Sequence, residues 1–294
     1  MKRNFMGGSD VGRNARRTES ISHPPSLLRY PGGKTKNRKD LVGRILAHFD
    51  DHGDREYREP FLGGASVAIG VLTDPRVKKA WLNDYDVGVM ALWSSVQSRP
   101  EDLCAAISSF VPSVKEFYRL KSFFLQSSRE QLLAADIVEL GAAKLGLHRI
   151  SFSGLGAMSG GPLGGRDGGE KISSRWNPDE LCRRVLRLHH LMSAKEVRVT
   201  SLDFSEVIAA PGRCAMLLDP PYYAMGNGLY QHGFADADHV RLAESLKRSA
   251  QPWLLSYDDH NRIRDLYGFA KIEEIDARYS LTGSSIRSEL LITK

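Results

Sequence analysis

Cysteine is scarce and scattered in this 294-residue chain. Cys104, Cys182 and Cys214 show no CxxC spacing, so they encode neither a disulfide framework nor a zinc site and read as buried apolar residues. His189-His190 has no third ligand beside it and makes no metal site. Long apolar runs are missing too. None approaches the roughly 20 residues that span a bilayer, and the N-terminus has no signal-peptide core, so the expected location is the cytoplasm with no membrane partner. Nor does one sign of charge dominate: 41 Lys plus Arg against 35 Asp plus Glu leave a formal +6, which favours a polyanionic partner without identifying it. With 41% hydrophobic content, a fully disordered chain is excluded, and one large α/β core with an inserted subdomain can be filled. Residues 1–26 hold Lys2, Arg3, Arg13, Arg16 and Arg17 among Gly, Ser and Asn with little to bury. They read as a floppy basic arm, either following phosphates or simply solvated.

The most informative stretch is Asp219-Pro220-Pro221-Tyr222, directly after the apolar run Cys214-Ala215-Met216-Leu217-Leu218. It sets a carboxylate, two rigid prolines and an aromatic face at the end of a strand. Proline stiffens the chain and has no N–H, so the Pro220 carbonyl and the Asp219 carboxylate present two acceptors in fixed directions. Such a pair suits an exocyclic amine on a flat base, whose two hydrogens it accepts while drawing the lone pair back onto nitrogen. Tyr222 would stack on the ring. Standing alone, the tetrapeptide would read equally as a capped Pro-Pro turn.

Two further groups pair glycine with charge: Arg29-Tyr30-Pro31-Gly32-Gly33-Lys34 and Glu59-Pro60-Phe61-Leu62-Gly63-Gly64-Ala65-Ser66. The second reads as the turn from a first strand (55–58) into a helix (66–72), where small residues let a ligand near the backbone; it is not a GxGxxG match. The next strand (77–82) ends in Asn83-Asp84, and an acid about 20 positions past the glycine turn is where a ribose-binding carboxylate sits in nucleotide-binding βαβ units. Asp84 fits that role or, alternatively, caps the helix over 85–97.

In this order, RYPGGK, EPFLGG, LND and DPPY resemble the Dam-type (D12 class) DNA adenine-N6 methyltransferases, from about residue 27 to the C-terminus. The resemblance implies a doubly wound, Rossmann-like α/β sheet that binds S-adenosyl-L-methionine through Tyr30, Lys34, Glu59, Phe61, Gly63 and Asp84. Asp219, Pro220 and Tyr222 would form the catalytic group, with Asp219 close to both ligands. It further implies double-stranded DNA as partner, a bacterial or phage cytoplasm, and work with or without a cognate restriction enzyme. Segments 253–260 and 287–292 resemble later core strands of the family, and 288–293 is expected as a reversed last strand. Cytosine-N4 methylation uses the same amine chemistry and is the nearest alternative; serine is usual there in place of Asp219. A chain that binds DNA without turnover is the other alternative.

Residues 27–90 and 195–294 are thus expected to form the catalytic domain, and 91–194 a mainly helical target-recognition insertion. Apolar residues fall at helical spacing over 94–110 and 113–125, and Ser128 can cap a helix running to about 147. Residues 148–176 then turn glycine-rich and read as a loop that orders on a partner. In Dam-like enzymes the matching region leads into a hairpin that reads bases, which makes Arg149, Arg166, Lys171 and Arg175 candidates for phosphate or base-edge contacts; each is otherwise ordinary surface charge. Relatives that read GATC tend to carry a basic residue where this chain has Gly156-Ala157-Met158, so a GATC site is not carried over. Helix 178–193 is amphipathic, with Arg183, Arg184 and Arg187 on its polar side. Residues 223–234 read as a flap over the base pocket, and His239 as a helix-start packing residue.

Overall fold

The structure is a computed structural model that describes residues 25–28, 38–50, 54–224, 233–279 and 285–294, with backbone alone at 276–279 and 285–287. Tyr30, Lys34, most of the N-terminal arm and most of the expected flap lie outside the described residues.

A seven-stranded sheet has the order β3-β2-β1-β4-β5-β7-β6. Its strands are β1 (Glu56–Glu59), β2 (Lys79–Asn83), β3 (Glu196–Thr200), β4 (Cys214–Leu218), β5 (Trp253–Asp258), β6 (Lys271–Tyr279) and β7 (Ser285–Thr293). All run parallel except β7, which is antiparallel to both neighbours. This is the doubly wound α/β sheet with the expected reversed strand; β3 and β6 join the core without having been anticipated.

Strand β4 shows why the sheet is buried on both sides. Ala215 and Leu217 join one apolar cluster, Cys214, Met216 and Leu218 the other. Successive side chains leave a strand in opposite directions, so an unbroken apolar run needs cover on each face. On the first face lie α1 (Arg38–Leu46), α2 (Ser66–Leu72) and much of the helical stretch; on the second lie α9 (Phe204–Ala209), α10 (Asp236–Arg248) and α11 (Asn261–Leu266).

Between β2 and β3 come α3 (Val87–Ser98), α4 (Pro100–Ser109), α5 (Val114–Gln126), α6 (Arg129–Ala134), α7 (Ile137–Ile150) and α8 (Pro178–Ser193). Two breaks interrupt spans expected as single helices. Pro100, at the first turn of α4, has no N–H for a continuing helix. Asp136 accepts from the N–H groups of Val138 and Glu139 and so starts α7 afresh. Helices α3 and α7 face two ways: Leu92, Trp93, Val138 and Leu145 pack toward the sheet, whereas Val87, Ala91, Leu140, Leu147 and Ile150 join α5 in a separate cluster with Phe117, Leu120 and Phe124. Cys104 of α4 and Cys182 of α8, far apart in sequence, are half-buried neighbours, each Sγ facing the other's carbonyl at 3.9 and 3.6 Å.

The glycine-rich stretch carries backbone pairing of its own. Ser151 bridges Pro162, Phe152 N–H donates to Gly161 at 3.0 Å, and Leu163 N–H donates to Ile150 at 2.7 Å, which makes a short hairpin. Ala157, Leu163 and Ile172 anchor it in the α5–α7 cluster. Hydrophobic plugs and backbone pairing replace the rigidity that its glycines do not supply.

Gly141 marks the closest approach of α3 and α7. A Cβ there would lie 2.7 Å from Leu92 Cα and 2.9 Å from its nitrogen, both backbone atoms that cannot step aside. Gly141→Ala is therefore expected to destabilise the fold by about 2 kcal/mol through overpacking despite better helix propensity. Urea unfolding measures this, and an unchanged midpoint would refute the tight crossing.

Candidate active site

The chain leaves β1 toward β2 on one side, whereas β4 lies on the other, so the carboxyl ends of β1 and β4 flank the switch point at which doubly wound sheets form their crevice. Three acidic side chains end there: Glu59 closing β1, Asp84 following β2 and Asp219 following β4.

On the β1–β2 side, polar ties set the glycine turn. Asn83 is fully buried; its amide donates to the carbonyls of Pro60 and Leu202 and its oxygen accepts from Thr200 and Leu202 N–H, which saturates the side chain. Asp84 then accepts from Gly63 N–H at 2.7 Å and from Asp86 N–H at 2.9 Å. The cap of α3 is Asp86 and not Asp84, which instead holds the turn. Gly63 sits at φ 46°, and its carbonyl accepts from Trp93 Nε1 at 3.0 Å, so both of its polar groups are used internally. Lys144 of α7, buried, pairs with Asp86.

Glu59 is buried and accepts the phenol of Tyr57 at 2.5 Å. Burial, with a further push from the nearby charges of Asp219 and Asp84, raises its carboxyl up to about 8 against the Tyr57 hydrogen bond. Burial and the neighbouring Asp86 likewise raise Asp84 to about 7. Phe61, the next expected ligand residue, packs its half-buried ring against Phe204 at 5.6 Å and Phe234 at 5.7 Å.

On the β4 side, Asp219 accepts from Ser256 Oγ of β5 at 2.7 Å. Pro220 is buried and Tyr222 nearly so, with the Tyr222 hydroxyl donating to Glu289 of β7 at 2.8 Å. Asp258, at the end of β5, accepts from the N–H of Tyr223 at 2.9 Å and of Ala224 at 2.8 Å. His239 is buried on α10 with its ring against Tyr257 and Tyr223. Its Nδ1 lies 2.7 Å from the Tyr257 hydroxyl, and burial lowers its pKa.

Of the expected DNA contacts, Arg166 and Lys171 are exposed and Arg175 is half-buried. Arg149 sits otherwise than foreseen: it is buried, and its guanidinium donates to the Leu27 carbonyl from Nε at 3.1 Å and Nη2 at 2.6 Å. Nη1 also reaches the Arg175 carbonyl at 3.5 Å. That guanidinium braces the end of α7 from inside the fold.

Ser256, Asp258, Glu289 and the Asp86–Lys144 pair went unnoticed in the sequence. The one signal available was a polar residue inside an apolar run, Glu289 before Leu290-Leu291-Ile292 and Ser256 in β5.

Residues 30–281 match the family of D12 class N6 adenine-specific DNA methyltransferases. The chain is also similar to the type II methyltransferase M.MjaIII of Methanocaldococcus jannaschii, with 22% identity over 241 residues, covering 76% of this chain and 79% of that one. Among solved structures, an rRNA methyltransferase, aviRa, from Streptomyces viridochromogenes aligns over 91% of this chain and 89% of its own at 15% identity, with a TM-score of 0.39, too slight to argue from. The match over 30–281 takes in the glycine turn, the acid after β2 and the Asp-Pro-Pro-Tyr corner alike, and the chain belongs to the D12 class of N6 adenine-specific DNA methyltransferases.

Proposed function

We propose that the acidic crevice binds S-adenosyl-L-methionine and that Asp219, Pro220 and Tyr222 receive an adenine swung out of duplex DNA. The observation that carries this reading is the meeting of Glu59, Asp84 and Asp219 at one strand switch, with Glu59 and Asp84 held at raised pKa. Crowded acids that resist ionisation fit a guest that brings positive charge. The cofactor's sulfonium and ammonium groups do so, whereas an anionic phosphate ligand would be repelled. When bound, the cofactor supplies an electrophilic methyl carbon. Glu59, Phe61, Gly63 and Asp84 would hold it, with Tyr30 and Lys34 as further contacts by family resemblance.

Asp219, steadied by Ser256, and the Pro220 carbonyl accept the two N6 hydrogens of the base, while Tyr222 sets the ring plane. Holding nitrogen in line with the methyl carbon is the main contribution and is worth several kcal/mol. Taking the base out of the stack costs a few kcal/mol. The unit around α5–α7 and the 148–176 hairpin would read the target, with Arg166 and Lys171 meeting phosphates and Arg175 a base edge or phosphate; Arg149 then acts by bracing that unit. Residues 91–194 as a recognition insertion between the two parts of a catalytic domain, and a basic arm over 1–26 trailing along DNA, complete the proposal.

Asp219→Ala is expected to abolish N6-methyladenine in treated duplex DNA, read by digestion to nucleosides, while most DNA affinity remains; methylation at the parent rate would overturn the role given to the carboxylate. Arg166→Ala with Lys171→Ala should flatten the slope of log K against log salt by about 2, since each phosphate contact contributes about 0.9. An unchanged slope in anisotropy titrations would remove both residues from the interface.

Cofactor binding should also carry a pH signature. Glu59 and Asp84 hold protons to about 8 and about 7, and a cationic guest favours their ionised forms, so binding expels protons and tightens as pH rises from 6 to 8, by up to about tenfold per unit per proton. The stability sign is the reverse: folded Glu59 keeps a proton that the unfolded chain gives up near 4.5, so its contribution is full below that value and is lost as pH climbs through about 8. Glu59→Gln should weaken both dependences. Calorimetry in buffers of different ionisation enthalpy measures the protons released, and none released at pH 7 would contradict the assignment.

A further inference from the structure

Strand β7 runs against β5, and in that register Asp258 and Glu289 are direct cross-strand partners. Like charges placed opposite one another on a sheet are destabilising, and Glu289 is buried as well. Acids so placed need hydrogen-bond partners, and those partners are informative. Asp258 takes the N–H groups of Tyr223 and Ala224 on separate oxygens, and Glu289 takes the hydroxyl of Tyr222. Three consecutive residues after Pro221 are thereby tied to two acids at one rung of the sheet. Ser256, two residues before Asp258 and so on the same face of β5, holds Asp219.

The geometry points to Asp258 and Glu289 as positioning residues: a cross-strand acid clamp that fixes the ring plane of Tyr222, and with it the angle at which the target adenine offers its N6. This rests on the reading of Tyr222 as the platform for the base. A phenyl ring anchored only at its Cβ would swing about χ1 and χ2; a hydroxyl tethered to the sheet and a backbone pinned immediately after it remove that freedom. Misalignment of the base slows the chemical step more than it weakens binding, because most of the DNA affinity lies elsewhere.

The two acids should respond differently to amide substitution. Asp258 faces two N–H donors with two oxygens, so Asp258→Asn turns an NH2 toward one of them and loses that tie. Glu289→Gln still presents an oxygen to the phenol, whereas Glu289→Leu presents none. Single-turnover methylation of unmethylated plasmid DNA, DNA affinity and melting temperature would be measured for each. Expected are a rate loss of about tenfold or more for Asp258→Asn, Glu289→Leu and Tyr222→Phe, a smaller loss for Glu289→Gln, and DNA affinity within about twofold of the parent. Glu289→Leu combined with Tyr222→Phe should be no slower than either alone.

Glu289→Leu at the parent rate, or losses that multiply in the double variant, would overturn the clamp while leaving the adenine platform standing. A loss of rate accompanied by an equal loss of DNA affinity and a collapse in melting temperature would show a merely structural role and overturn it as well. Failure of the underlying reading looks different: Tyr222→Ala would then methylate like the parent.

Discussion

Two carboxyl groups that face one crevice from adjacent strands, with water largely kept away, cannot both ionise at neutral pH without a counter-charge. Glu59 shows the effect: burial first, then the charge of Asp219 from the neighbouring strand end, raises its carboxyl to about 8, because β1 and β4 pair in parallel at the place where the chain changes direction across the sheet. Asp84 adds a third acid from β2. Glu59 and Asp84 therefore hold their protons well above the usual carboxylate range, and under the proposed function a cationic guest would take the place of those protons. Much of the surrounding structure consists of groups that keep these acids in place at that cost.

Strand β1 illustrates it. Glu56-Tyr57-Arg58-Glu59 is an unlikely sequence for the middle of a sheet, yet each polar group has a partner. Arg58 pairs with Glu56 and donates to the carbonyls of Val207, Ala210 and Pro211 at the end of α9, where the helix dipole favours a cation. Tyr57 donates to Glu59. Removing one such partner would leave an uncompensated polar atom in the core, so the strand's charges are mutually dependent. The same logic extends outward through Asp84, Asp86 and Lys144 to α7, whose far end carries the hairpin braced by Arg149. Polar ties thus run from Asp84 through Asp86 to Lys144 of α7, the helix that leads into the 148–176 stretch.

Legibility in the sequence followed burial and capping. The unbroken run Cys214–Leu218 announces a strand covered on both faces, and Pro178–Ser193 carries an apolar face with a capped start. Strand β3, Glu196–Thr200, was hidden because it lies at the edge and alternates charge with valine, giving no apolar run to notice. The break between α6 and α7 depends on whether Asp136 turns its carboxylate to the backbone or to solvent, which spacing cannot express. Arg149 and Arg166 look alike as letters; only the packing shows that one faces inward and the other outward. For the site, the acids at the strand ends were visible through their motifs, whereas Ser256 and Asp258 became meaningful only once β5 lay beside β4.

The glycine-rich hairpin shows that glycine content and anchoring act separately on a segment's order. Glycine raises the entropy of an unfolded segment, and composition alone reads as a loop that orders on a partner. In the folded chain Ser159 Oγ reaches the carbonyls of Phe152 and Gly161, Ser151 Oγ accepts from Gly156 N–H, and the buried His148 ring meets the Gly154 carbonyl at 2.9 Å. Those ties, together with the apolar anchors Ala157, Leu163 and Ile172, account for the ordering cost within the protein's own folding. Under the proposed DNA-reading role, this has a consequence for affinity: a preformed surface loses little further entropy on contact, so Phe152, left exposed at the hairpin, and the cations Arg166 and Lys171 would act from defined positions. Glycine then serves in this segment to make tight turns possible, as at Gly156 with φ 60°, rather than to keep it loose.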